Sequence, residues 1–458
     1  MTKTVCIQGL GFVGAAMAAA VSLATSNNQP LYNVIGLDLD TYEGNKRIQA
    51  INEGRFPFDT DDSELNAAIS SAVLSGNLRA TSDKSIIEAA DIVISSINLD
   101  LVLINNEDTV DFHSYLSSID DVAMRIKPNT LFIIESTVPP GTTSRLVKPL
   151  FEKRFNERKF KNAPFIAHSY ERVMPGPNYL NSISNFWRVY SGINQESADA
   201  AELFLSSFIN TTDFPLRRLQ MTEESETAKV LENSYRAVNI AFIDEWTSFS
   251  EKVGMDLFSI LEAIKDRPTH NNIMLPGFGV GGYCLTKDPL FSKIAADKIF
   301  DLKGVTFPFS SMAVKVNKAM PNHIVDLIIE KNKNKANFKV LILGVSYKEG
   351  VSDTRYSPSE TAFNALIKYT SNIDVQDYSV SFWSELNLIV QNFDFNIENY
   401  DVLLFTVRNK TYQTIDFSKL EKEDLQVFDS NHVLSDKQIS SLVGKKIYTF
   451  ITGKGEQK

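Results

Sequence analysis

Gly9-Leu10-Gly11-Phe12-Val13-Gly14 follows a β-branched and apolar run, Thr4–Gln8, and opens an alanine-rich segment of helical character. In a strand-turn-helix of this kind the first glycine permits the tight turn and the second lets the backbone approach a pyrophosphate. The third allows helix and strand to pack closely. The helix N-terminus then offers its N–H groups and the positive end of its dipole to the anion. The next apolar run ends in Gly36-Leu37-Asp38, 24 residues past Gly14. A carboxylate there accepts hydrogen bonds from a ribose 2′-hydroxyl and repels a 2′-phosphate, which predicts NAD rather than NADP. That spacing is slightly long, and the polar insert Ser26–Gln29 absorbs the excess. Gly9, Gly11, Phe12, Val13, Gly14 and Asp38 are therefore the expected cofactor residues. The competing reading is a nucleotide-free scaffold of the same shape.

Beyond this turn, apolar runs at Asn33–Asp38, Asp91–Ile97, Thr130–Ser136 and Pro164–His168 alternate with amphipathic segments. Such alternation predicts a parallel sheet with helices on both faces. From Thr222 to about Val253 there is neither proline nor glycine, and apolar residues recur at helical spacing, which predicts one long helix. A second helix is expected over Leu257–Lys265, and the polar segment 330–338 reads as a surface connection. Lys339–Gly344 then starts a second strand-then-glycine pattern, followed by strands at Ile373–Asp377, Val402–Thr406 and Gln426–Asp429. The fold class is thus α/β, with two doubly wound Rossmann-like domains joined by a long-helix central region. The expected domains are 1–210 for NAD, 211–325 for the long helices, and 326–458 for the second doubly wound unit.

Composition narrows the function. With 458 residues, 43% hydrophobic and 22% charged, the chain has the make-up of a multidomain globular protein. A net charge of −10 argues against a nucleic-acid surface. No apolar run reaches the roughly 18 residues that span a bilayer. The stretch Phe12–Val21 imitates a secretory signal, but the glycines at fixed spacing favour the nucleotide turn. Two cysteines, Cys6 and Cys284, cannot build a disulfide framework, and the five scattered histidines lack metal-ligand spacing. A reduced, cytoplasmic protein without a metal is expected.

Cys284 lies in Gly277-Phe278-Gly279-Val280-Gly281-Gly282-Tyr283-Cys284-Leu285-Thr286-Lys287-Asp288-Pro289. Four glycines in six positions are entropically costly, and they suit a loop that wraps a ligand and presents a thiol. A cation such as Lys287 can make that thiol nucleophilic. Cys6, on its apolar strand, reads as inert. Lys229 and Asn233 share one face of the long helix at i, i+4, with Arg236 a turn further, although spacing alone is equally that of a solvated helix face. Glu135-Ser136-Thr137-Val138-Pro139-Pro140-Gly141-Thr142-Thr143 places hydroxyls at a strand's C-terminal end, where α/β sheets bind ligands.

Together with Glu171-Arg172-Val173-Met174-Pro175-Gly176, Glu226–Ala241 and Leu343–Pro358, these motifs resemble the UDP-glucose/UDP-N-acetylhexosamine 6-dehydrogenase family over nearly the whole chain. The resemblance implies a four-electron oxidation of a sugar C6 alcohol to a carboxylate with two NAD in succession. Cys284 matches the nucleophile, which would pass through a thiohemiacetal and a thioester. Lys229 and Asn233 would polarise the reacting oxygen, Asp288 would assist as a base, and Glu171 or Thr137 would handle water. Thr137 would also touch the cofactor. The implied substrate residues are Glu171, Arg172, Val173, Lys229, Asn233, Arg236, Arg267, Gly281, Lys348 and Arg355. Glu-Arg-Val-Met-Pro-Gly resembles the N-acetylhexosamine branch, which implies UDP-ManNAc, UDP-GlcNAc or UDP-GalNAc as substrate, a homodimer, and a product destined for surface polysaccharide. Tyr170 and Phe278 stand where proline is usual and Tyr283 where histidine is, so the sugar could be unusual. The alternatives are a UDP-glucose 6-dehydrogenase, a two-electron dehydrogenase with a similar fold, and a non-catalytic protein that binds nucleotide sugar or NAD.

Overall fold

The computed structural model describes all residues except 1, 61, 105–106, 174–175, 177, 336, 392–394 and 458, so Met174 and Pro175 of the motif above lie outside the described residues. The chain forms two compact units, Met1–Glu232 with Leu290–Thr306, and Asn233–Pro289 with Phe307–Lys458.

The first unit is built on eight strands: β1 (Lys3–Gln8), β2 (Tyr32–Leu37), β3 (Leu78–Thr81), β4 (Ile92–Ser95), β5 (Leu131–Ile134), β6 (Phe165–Tyr170), β7 (Val189–Gly192) and β8 (Arg217–Arg218). Their order is β8-β7-β6-β5-β4-β1-β2-β3, parallel from β3 through β6, with β7 antiparallel to β6. The order reverses between β1 and β4, the place where a doubly wound sheet opens a crevice at its strands' C-terminal ends. Five of these strands were legible as apolar runs. β3 was not, because Arg79 interrupts its four residues and leaves only an alternating pattern. Helix α1 (Phe12–Ser22) is buried along Gly14–Ser22, and its run of alanines lets it lie close on the sheet. Two apolar layers, one on each face, make the core, and each fully buried Val, Ile, Leu or Phe contributes about 1.5–3 kcal/mol.

The insert after α1 is a small hairpin. Thr25–Ser26 pairs with Gln29–Pro30, and Asn27 and Asn28 take φ of 51° and 60°, the left-handed pair that a tight two-residue turn needs. It lengthens the route from Gly14 to Asp38 without disturbing the sheet.

A charged pair lies inside this unit. Arg188, just before β7, donates to Glu135 Oε1 at 2.7 Å, and both side chains are under 4% exposed. Ser96 Oγ donates to the other carboxylate oxygen at 3.0 Å. Burial pushes the Glu135 carboxyl up and Arg188 pulls it back.

The long helix α2 spans Thr222–Val253 and α3 Leu257–Lys265, the bounds expected from sequence. The second unit holds α4 (Pro308–Asn332), which runs into the segment expected to be a surface connection. Asn332 at its end is buried and exchanges hydrogen bonds with Gln426 at 2.9 and 3.0 Å. Six strands follow: β9 (Val340–Leu343), β10 (Ile373–Gln376), β11 (Val402–Phe405), β12 (Gln426–Asp429), β13 (Tyr448–Ile451) and β14 (Gly455–Gln457). Their order is β10-β9-β11-β12-β13-β14, parallel except for the final pair. Two doubly wound α/β sheets and a long helix are therefore the architecture. No helix among the described residues is long and apolar enough to cross a membrane.

Candidate active site

In the nucleotide turn, the three glycines are needed for different reasons. A Cβ on Gly14 would lie 1.8 Å from the Gly9 carbonyl oxygen, and one on Gly9 would lie 3.2 Å from the Ser96 carbonyl at a φ of +92°. Packing of the chain against itself accounts for both. At Gly11 a Cβ would meet no heavy atom within 4 Å among the described residues. Gly11 is also the N-cap of α1, no side chain caps that end, and the first turn carries no acid. An open face beside helix N–H groups is what a pyrophosphate requires, so the residues fit NAD. Gly14→Ala should therefore fail to fold, or melt far lower, whereas Gly11→Ala should keep the wild-type melting curve and bind NAD about tenfold more weakly. Calorimetry with NAD, beside a thermal melt of each variant, checks this.

Asp38 lies just past the end of β2, as expected, but its carboxylate is already engaged. It accepts from the amides of Leu10 (3.1 Å) and Leu39 (2.8 Å), and from Arg47 Nε (2.8 Å) and Nη2 (3.2 Å). Arg47 was missed in the sequence reading, since nine residues separate it from Asp38 and only the intervening helix (Tyr42–Asn52) carries it back.

Further along the same unit, Lys229 is 7% exposed and donates to the Glu171 carbonyl at 2.7 Å, with Glu171 Oε1 at 3.8 Å. The other Glu171 oxygen accepts from the Val173 amide. Arg172 forks onto Glu232 through Nε (3.1 Å) and Nη2 (3.1 Å). Of the expected set, Glu171, Arg172, Val173 and Lys229 thus form one cluster. Thr137 is half-buried just beyond β5. The turn that carries it is braced from α2: Glu226 accepts from the amides of Gly141 (2.6 Å) and Thr143 (2.8 Å) and from Thr143 Oγ1 (2.6 Å). Burial pushes the Glu226 carboxyl up to about 8.

In the second unit Cys284 is exposed at the end of the glycine loop. Its carbonyl accepts the Asp288 amide at 2.9 Å, which curls the chain under the thiol. Asp288 is almost fully buried and bridges two groups, accepting from Asn233 Nδ2 at 2.7 Å and from Lys287 Nζ at 2.8 Å. Cys284, Asn233 and Asp288 are thereby brought together. The Lys287 ammonium pairs with Asp288 and lies over the Tyr283 ring, 4.4 Å from the centroid.

The glycines of this loop also differ from expectation, because they are shaped by protein rather than by open space. A Cβ on Gly281 would lie 2.8 Å from each of Pro358, Tyr347 and the Tyr356 carbonyl, and one on Gly282 would lie 2.8 Å from the Tyr347 ring. The loop is pressed against the segment 347–358 of its own unit. Phe278, expected to flank the nucleophile loop, is instead buried in the apolar cluster that also holds Ile324, Val340 and Trp383, and so anchors the loop to the core. Tyr347 takes a place that the sequence did not reveal. Burial, Asp353 and the nearby Cys284 push its phenol up to about 12. Arg355 pairs with Asp353 at 2.7 Å, while Lys348, Arg236 and Arg267 are exposed and form no ion pair among the described residues.

Comparison with known proteins bears on all of this. Residues 3–205 match the NAD binding domain of the UDP-glucose/GDP-mannose dehydrogenase family, residues 223–319 its central domain and residues 341–436 its UDP binding domain. The chain is 29% identical to a UDP-N-acetyl-D-mannosamine dehydrogenase of Methanocaldococcus jannaschii, over 99% of this chain and 97% of that protein. It is 25% identical to an NDP-N-acetyl-D-galactosaminuronic acid dehydrogenase of Ralstonia nicotianae, over 96% and 98%. A solved UDP-D-ManNAc dehydrogenase of Pyrococcus horikoshii shares the fold with a TM-score of 0.80 at 23% identity, covering 99% of each chain. With its NAD cradle, central helices and UDP binding domain all in order, the chain belongs to the UDP-glucose/GDP-mannose dehydrogenase family and is a nucleotide-sugar oxidoreductase.

Proposed function

We propose that the protein oxidises C6 of a UDP-N-acetylhexosamine from alcohol to carboxylate, with Cys284 as covalent nucleophile. The observation that carries this is an exposed thiol on a loop braced by the buried Asn233-Asp288-Lys287 set, in a chain that has NAD and UDP binding domains. Bound NAD supplies the hydride acceptor for each two-electron oxidation. Lys229 and Asn233 stabilise negative charge on the reacting oxygen, a task suited to a buried ammonium and an oriented amide. The Cys284 sulfur adds to the C6 aldehyde to give a thiohemiacetal, whose oxidation leaves a thioester. Water cleaves that C–S bond, returning the thiol and releasing the acid, with Glu171 or Thr137 orienting the water and Asp288 taking a proton. The substrate contacts in this reading are Arg172, Val173, Arg236, Arg267, Gly281, Lys348 and Arg355.

Support for the hexosamine comes from the names of the M. jannaschii and R. nicotianae relatives and from Glu171-Arg172-Val173. The product would feed surface polysaccharide synthesis. A homodimer is part of the reading: α2 and α3 expose Phe242, Trp246, Phe249, Ile260 and Ile264 around an apolar groove of about 350 Å³. So is a reducing, cytoplasmic setting, since Cys284 must stay a thiol.

With excess NAD and limiting UDP-ManNAc, UDP-GlcNAc, UDP-GalNAc or UDP-glucose in separate reactions, one hexosamine should give about two NADH per sugar. Two NADH from UDP-glucose alone would move the substrate to the alternative, and one NADH per sugar would remove the four-electron chemistry.

A further inference from the structure

Tyr170, the last residue of β6, stands where the family resemblance leads one to expect proline, and the structure gives the larger side chain a place. Its ring is 1% exposed. The Lys229 ammonium lies 5.3 Å from the ring centroid, inside the range of cation–π attraction. The hydroxyl accepts from Arg172 Nη2 at 3.2 Å and donates toward Glu232 at 3.4 Å, which fixes the ring. Arg172 is held in turn by Glu232 and by the Trp187 carbonyl at 3.0 Å.

Lys229 is a nearly buried cation, and such a cation needs compensation. The Glu171 carbonyl takes one of its three protons, and the Glu171 carboxylate is at 3.8 Å. A ring face supplies the rest in a particular way: it attracts the charge without accepting a directed hydrogen bond. Among the described residues the remaining N–H groups have no other acceptor and are open to a substrate oxygen. Proline has no π face and could not do this.

We propose that Tyr170 is a positioning residue for Lys229, holding the ammonium by its π face so that its protons stay directed at the reacting oxygen. This rests on the role given to Lys229 above, and the test separates the two. Phenylalanine and its 4-fluoro, 3,5-difluoro and 3,4,5-trifluoro forms are placed at position 170; these keep the shape of the ring and progressively weaken its face. Steady-state kinetics are measured with the sugar nucleotide that the enzyme turns over. The ζ-ammonium signal of Lys229 is followed by NMR in lysine-¹⁵N protein.

The expected result is a stepwise fall in kcat, about tenfold across the series, with KM for NAD constant. The ammonium signal should broaden in parallel, and kcat should be flat across the same series in a Lys229→Ala background. A kcat and an ammonium signal both indifferent to fluorination would overturn the proposal, leaving Tyr170 as packing. If Lys229→Ala keeps wild-type kcat, the catalytic role of Lys229 fails, and the NMR series alone then decides whether the ring holds the ammonium.

Discussion

Cys284→Ser is expected to lower steady-state NADH formation by roughly 10³-fold or more. Cys284 is exposed and serine is close to it in size, so the melting curve and NAD affinity should match the parent protein. What changes, on the proposed route, is the atom that attacks the aldehyde. A hydroxyl is a far weaker nucleophile than a thiolate, and an ester would replace the reactive thioester. The first hydride transfer does not need the sulfur, so rapid mixing of a stoichiometric amount of variant with substrate should still give a burst of at most one NADH. Mass spectrometry of the acid-quenched parent enzyme should show a uronyl adduct on the peptide containing Cys284. A serine variant that still makes two NADH per sugar at the parental rate would sink the covalent route.

A large loss of stability with a pH signature is expected from Arg188→Leu. The leucine leaves Glu135 buried with Ser96 as its remaining side-chain partner, and breaking such a pair costs about 3–5 kcal/mol. Burial already raises the Glu135 carboxyl, and without Arg188 it rises further. The sign of the pH dependence follows. A carboxyl that ionises at higher pH when folded than when unfolded binds more protons in the native state above the ordinary carboxylate range. Stability must therefore fall as pH rises from about 4.5. Urea unfolding at pH 5 and pH 8 should show the variant's deficit shrinking at the lower pH. A deficit independent of pH would mean that Glu135 is not left as an ionisable buried group.

Much of this architecture was legible because it depends on short-range pattern. The hexapeptide Gly9–Gly14 announces its strand and helix through residue spacing alone. Helix α2 could be bounded at Thr222 and Val253 because no proline or glycine interrupts it. Asn233 and Asp288 were named as candidates from separate motifs, and the structure shows them joined at 2.7 Å. What escaped depends on contacts that no local pattern encodes. The glycine loop looked like a ligand cradle because its partners, Tyr347 and Pro358, lie more than sixty residues away. Phe278 looked like a specificity residue because nothing nearby marks it as core. Arg47 was invisible because a helix folds it back onto Asp38.

The press of Gly281 and Gly282 against Tyr347 and Pro358 has a consequence for regiochemistry. Cys284, the nucleophile of the proposed route, and the UDP binding domain, residues 341–436, belong to one folded body. On that route the span from the bound nucleotide to the sulfur would be a fixed length, set by how deeply those glycines let the loop settle. Such a body would act as a ruler: a hexose hung from its diphosphate would present to the sulfur whichever carbon lies at that distance. On that reading a methyl group added at Gly281, 2.8 Å from Pro358, Tyr347 and the Tyr356 carbonyl, would push the loop outward and shift the mark along the scale.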